Sequence, residues 1–138
     1  MKAFLLNTRG LFTASAIVML CLAFSYAPGV SRAADVQAGN ADQGKIVFEK
    51  RCTGCHSLDQ DKEGPHLRGV FGRKAGKISG FPYSDGMKGA QFTWDAAALD
   101  KWLTDTESVV PDNDMSFHVP NPQERADIIR FLESLSAK

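Results

Sequence analysis

Apolar residues recur at helical spacing in three stretches of this chain, and long polar, glycine-bearing segments separate them. The last stretch has the clearest start. In Asn121-Pro122-Gln123-Glu124, Asn can cap, Pro suits the first helical position, and Glu can return to the cap. Ile128, Phe131, Leu132 and Leu135 then form one stripe. A second helix opens at Trp94-Asp95, with Leu99, Trp102 and Leu103 on one face. A first helix begins at Asn40, where Gln43 completes a capping box and Gly44 and Phe48 lie one turn apart on one face. Residues 84–88 predict a single turn. Residues 57–80 and 111–120 read as loops, and no internal repeat or low-complexity tract appears.

The N-terminal third has a different pattern. Met1, Lys2 and Arg9 precede an apolar run over residues 11–26, which Pro28-Gly29 breaks. Ser31-Arg32-Ala33 offers small residues where a signal peptidase reads. This predicts a signal peptide over residues 1–33, cut after Ala33 or Ala34, and one domain over 34–138. The rival reading, an uncleaved anchor, requires a longer apolar run. Cys21 lies in the run behind Leu20, unlike a lipoprotein cysteine, and is expected to leave with the signal.

Removing the leader changes the charge. Of 16 Lys and Arg, three (Lys2, Arg9 and Arg32) precede residue 34, leaving 13 against all 16 Asp and Glu, a net of −3. A sequence-independent nucleic-acid surface should be strongly basic, so that class is excluded.

The chemistry centres on Cys52-Thr53-Gly54-Cys55-His56. C-x-x-C-H is the attachment signature of a c-type haem. Two thiols, two residues apart, can add to the two vinyl groups along one porphyrin edge, and the adjacent imidazole can ligate the iron. Half a zinc site would need two further ligands at similar spacing, and no second cysteine pair exists. A thioredoxin-like dithiol would need a βαβ setting. Residues 57–80 are long for a structureless loop in a compact domain, which makes sense if they wrap a cofactor that supplies missing core. Bacterial c-type haem is attached outside the cytoplasmic membrane, which agrees with export. Opposite His56 the candidate ligands are Met87, Met115, His66 and His118. Met115 lies on a proline-bounded loop that could bring its thioether to iron without distorting a helix. Spacing alone leaves it balanced against ordinary core filling.

Ordered motifs extend over residues 40 to 136. They are Gly44-Lys45-x-x-Phe48, Cys52-x-x-Cys55-His56, Gly64-Pro65-x-Leu67, Gly69 through Gly76, Phe81-x-Tyr83-Ser84-Asp85, Trp94 and Pro111-x-x-x-Met115-x-Phe117. In these the chain resembles class I c-type cytochromes, the bacterial relatives of mitochondrial cytochrome c. The resemblance implies an all-α cytochrome c fold, helices and long loops wrapped around one haem c held through Cys52 and Cys55. It implies His56 and Met115 as axial ligands, with the Pro65 carbonyl accepting the His56 Nδ1 proton. It implies Arg73, Tyr83 and Trp94 as donors to a haem propionate. Gly44 and Phe48 would pack on Ile128 and Phe131, and Phe117 would lie between haem and solvent.

The implied function is a soluble, periplasmic, monomeric electron carrier that docks transiently with redox donors and acceptors and performs no bond chemistry. A haem enzyme or gas sensor would need a dissociable Met115, and an anchored subunit would need an uncut leader. Three positions depart from the family pattern. Trp102 stands where a tyrosine often donates to the methionine sulfur, Met87 where an asparagine often holds a water, and Asp114 where a lysine often precedes the ligand. Asp114 weakens the basic ring around the haem edge, of which Arg51 matches one member.

Overall fold

The computed structural model describes residues 38–136. The leader expected over residues 1–33 lies outside them. Five helices follow in order: α1 (Ala41–Arg51), α2 (Asp85–Gly89), α3 (Ala96–Thr104), α4 (Thr106–Val109) and α5 (Pro122–Ser134). The described residues form no named strand; an isolated antiparallel bridge joins Lys74 to Thr93.

Side chains set the helix boundaries. Asn40 accepts the N–H groups of Asp42 and Gln43, Ser84 that of Met87, and Asp95 that of Ala98. Asn121 accepts the N–H groups of Gln123 and Glu124, and Pro122 begins α5. Each cap satisfies backbone donors that lack an intrahelical partner. The reciprocal arms of both expected capping boxes are replaced by long-range partners. The Asn40 N–H donates to Asp127 Oδ1 at 2.8 Å, and Glu124 pairs with Arg51 at 2.9 Å. Both contacts join the start of α5 to α1. The sequence pattern assigns no element to Thr106–Val109, because four residues carry no helical period.

The core sits where α1 crosses α5 and where α3 packs against α5. Phe48, Leu99, Trp102, Leu103, Ile128, Phe131 and Leu132 are buried in one cluster. Leu135, read as part of the same stripe, is half-buried and caps α5. The rings of Phe48 and Phe131 lie 5.4 Å apart. Burying one such side chain stabilises the fold by roughly 2 to 3 kcal/mol. The crossing is close because Gly44 has no side chain. A Cβ there would stand 1.9 Å from the Asp127 carbonyl oxygen and 2.8 Å from Phe131 Cβ.

The long loops are fixed by backbone bonds. Gly72 N–H donates to Trp94 C=O at 2.7 Å, and Trp94 N–H to Arg73 C=O at 2.9 Å. These bonds bring residues 72–74 of one loop against 93–94 of another. Val119 N–H donates to Leu103 C=O at 2.7 Å, and Arg125 binds the carbonyls of Val119 and Pro120 and the Asp100 carboxylate. The end of the loop after α4 is thereby tied to α3 and α5.

Candidate haem site

The cysteine motif begins where α1 ends. Cys52 caps the helix, and the N–H groups of Cys55 and His56 both turn back to the Cys52 carbonyl, at 3.2 and 2.9 Å. One tight turn therefore presents two thiols and an imidazole. Thr53 Oγ1 donates to Glu49 C=O at 2.7 Å, and Lys62 Nζ to Gly54 C=O at 3.0 Å, bracing that turn.

The thiols have different surroundings. Cys52 is half-buried, and burial pushes its pKa up to about 11, against a smaller opposing effect of Arg51. Cys55 is exposed, and its hydrogen bond with Glu63 raises its pKa, aided by the Glu63 charge. In the free chain both sulfurs are therefore neutral thiols at pH 7.

His56 is oriented by residues 64 and 65. Its Nδ1 lies 2.8 Å from the Pro65 carbonyl oxygen. A carbonyl can only accept, so Nδ1 carries the proton and the Nε2 lone pair is free to ligate a metal. Burial lowers the pKa of the imidazole, opposed by the Pro65 bond, and Lys62 lowers it further. The neutral ring is the ligating form. Gly64 lies against the ring face, where a Cβ would stand 2.3 Å from His56 Cε1.

His56 borders a cavity of about 470 Å³. Eight of the residues singled out from the sequence line it: Cys52, Cys55, His56, Pro65, Arg73, Tyr83, Trp94 and Met115. So do Met87, His66 and Phe117, whereas His118 does not. Much of the wall is apolar, with Phe48, Val70, Leu99, Trp102 and Ile128 reaching it from the core. Trp94 packs edge-on against Phe92 and Trp102, at ring separations of 4.8 and 5.4 Å.

The two thioethers that border the cavity are held differently. Met87 is buried on the short α2. Met115 is half-buried on the loop after α4, and its sulfur receives the Trp102 indole N–H at 3.2 Å. Thr106 Oγ1 donates to the Met115 carbonyl at 2.7 Å, and Met115 N–H donates to Asn113 Oδ1 at 2.9 Å. Thr106 and Asn113 escaped sequence reading, because polar residues beside a loop look like solvated surface.

A family model for cytochrome c matches residues 41–136. The chain belongs to the cytochrome c family. Cytochrome c2 of Rhodomicrobium vannielii is 46% identical over 99 residues, covering 69% of this chain and 78% of that protein. Cytochrome c 2.1 of Caenorhabditis elegans is 38% identical over 107 residues, covering 75% of this chain and 96% of that protein. Among solved structures, cytochrome cH from Methylobacterium extorquens aligns with a TM-score of 0.66 at 38% identity, covering 70% of this chain and 99% of that one.

This cytochrome is a haem-based electron carrier with haem c attached covalently through cysteine, and Cys52 and Cys55 are the two cysteines of its attachment motif. The donor set fits that group: paired thiols on one turn, a neutral imidazole, thioether sulfur and a largely apolar cavity. Among the described residues no group of three or more His, Cys, Asp or Glu is placed to hold a metal ion.

Proposed function

We propose that His56 Nε2 and Met115 Sδ close the two axial positions of the haem, and that the protein is a periplasmic carrier moving one electron between redox enzymes or membrane complexes. The bound group supplies a metal that takes up and returns one electron. The protein holds both axial donors so that neither has to move when the electron does. The Pro65 carbonyl fixes the imidazole tautomer. The Trp102 N–H on the Met115 sulfur is the single observation that carries the choice of Met115 over Met87. A soft thioether favours the ferrous state and raises the potential relative to two histidines.

Arg73, Tyr83 and Trp94 are assigned to the propionates. Carboxylates beside a half-buried ring need donors to offset their desolvation. Arg73 already donates to the carbonyls of His66 and Arg68, which holds its planar fork against the cavity. Burial lowers the Arg73 pKa and raises that of Tyr83, as expected of polar groups on a largely apolar wall.

The periplasmic assignment follows from the leader pattern and from the need to attach haem after export. No helix of the described residues is long and apolar enough to cross a membrane. Mass spectrometry of the purified protein tests the leader: a mature N-terminus at Ala34 or Asp35 supports cleavage, and an intact Met1 supports an anchor. The optical spectrum of the oxidised protein tests the ligands. Methionine ligation gives a weak charge-transfer band at the red end, which an open or histidine-ligated iron lacks.

A further inference from the structure

We propose that Glu107 and Asn113 are positioning residues that clamp the loop bearing Met115 and set how often the axial site opens. This rests on the reading of Met115 as ligand. Apolar burial anchors the loop at its two ends. Val110 and Val119 are buried, while Met115 and Phe117 between them are half-buried and Pro111, Asp112, Asp114, Ser116 and His118 are exposed. The middle of the loop is therefore held mainly by polar bonds.

Beside the Trp102 and Thr106 bonds to Met115, two of those bonds end on one carboxylate. Glu107 Oε1 accepts the Asp112 N–H at 2.9 Å, and Oε2 accepts Asn113 Nδ2 at 3.1 Å. Asn113 Nδ2 also donates to the Val110 carbonyl at 2.9 Å, and its Oδ1 accepts the Met115 N–H at 2.9 Å. Two hydrogen bonds in series thus connect Glu107 to the Met115 backbone. Asp112 needs this support. Its φ of +55° is left-handed, a conformation disfavoured for a residue with a side chain. Glu107 is itself placed by Asp105, which accepts the Glu107 N–H at 3.1 Å as the cap of α4. Asp112 and Asp114 add like charges to the loop that Glu107 grips, so the clamp holds against repulsion. No lysine or arginine lies between Lys101 and Arg125, so the loop itself brings no amine to the vacated position, while Lys74, His66 and Met87 border the cavity from other segments. An added ligand can report opening directly.

The experiment titrates oxidised holo-protein with imidazole and follows loss of the methionine charge-transfer band. The apparent affinity scales with the open fraction. Glu107 is exposed, so its two hydrogen bonds each sit at the low end of the net range, and losing both should raise that fraction about tenfold in Glu107→Ala. Glu107→Gln keeps one acceptor oxygen and should fall between wild type and Glu107→Ala. Asn113→Ala should also raise the affinity. Glu133→Ala, which removes a half-buried carboxylate of α5 that pairs with Arg130, should leave it unchanged. Unchanged affinity in both Glu107 variants overturns the clamp. Equal effects of Gln and Ala trace the change to lost charge alone and overturn it too. A wild-type spectrum without the charge-transfer band instead overturns Met115 as ligand, which distinguishes failure of that reading from failure of the clamp.

Discussion

The indole Nε1–H of Trp102 donates to the sulfur of Met115 at 3.2 Å. Trp102 is buried on α3 and Met115 lies thirteen residues later, beyond α4. The bond holds the thioether and withdraws electron density from it. With Met115 on the iron, a poorer sulfur donor stabilises ferric iron less, which raises the potential.

Trp102→Phe removes the N–H and keeps an aromatic ring against Trp94. The reduction potential should fall. A hydrogen bond of net worth about 1 kcal/mol sets the scale, which for one electron is about 40 mV. Voltammetry of the two holo-proteins measures it. An unchanged or higher potential would show that the bond does not tune the sulfur.

Cys52→Ser with Cys55→Ser should leave the chain without covalent haem and largely unfolded. Phe48, Leu99, Trp102 and Ile128 all border the cavity, so its loss of contents strips contacts from the core itself. Circular dichroism of the purified variant is the check. Native helical signal and a cooperative melt would mean that the polypeptide core is sufficient alone.

Gly44→Ala should destabilise the holo-protein by about 2 kcal/mol or more, because the added methyl meets backbone of α5 and the helices must separate. Gly89→Ala should cost little, since a Cβ there meets nothing within 4 Å. Chemical denaturation of both variants compares them. Equal midpoints would contradict the close crossing.

Partner docking should depend on Asp114, which is exposed and borders the cavity beside Met115. Arg51, which matches one member of the family's basic ring, is ion-paired with Glu124 and contributes less free charge. Electron transfer to a strongly acidic partner should therefore be slow and little reduced by salt. Asp114→Lys should accelerate it, most at low ionic strength where screening is weakest. Stopped-flow rates across ionic strength provide the test. Identical rates and salt slopes would place Asp114 outside the docking face.

Much of this was legible in the chain itself. The starts of α1, α3 and α5 are written in local capping residues, and the buried stripe of α3 in spacing. The thiol–imidazole turn is a contiguous motif. What escaped depends on how the chain folds back, across the helix crossing or within one loop. Asn40 and Glu124 look like halves of local capping boxes, but Asp127 and Arg51 replace the expected arms across the helix crossing. Glu107 and Asn113 look like solvated surface, and only the folded loop turns them toward Met115. Trp102 was visible as a departure from the family pattern, though whether its indole could reach the sulfur depended on the path of α4.

The most direct measurement is the red-end charge-transfer band of oxidised holo-protein, wild type beside Met115→Ala. The account predicts the band in wild type at neutral pH and its loss in Met115→Ala, with a lower potential and carbon monoxide binding to the reduced variant. A band that survives Met115→Ala would assign the sulfur to Met87, and a wild type without the band would show that the iron is not methionine-ligated.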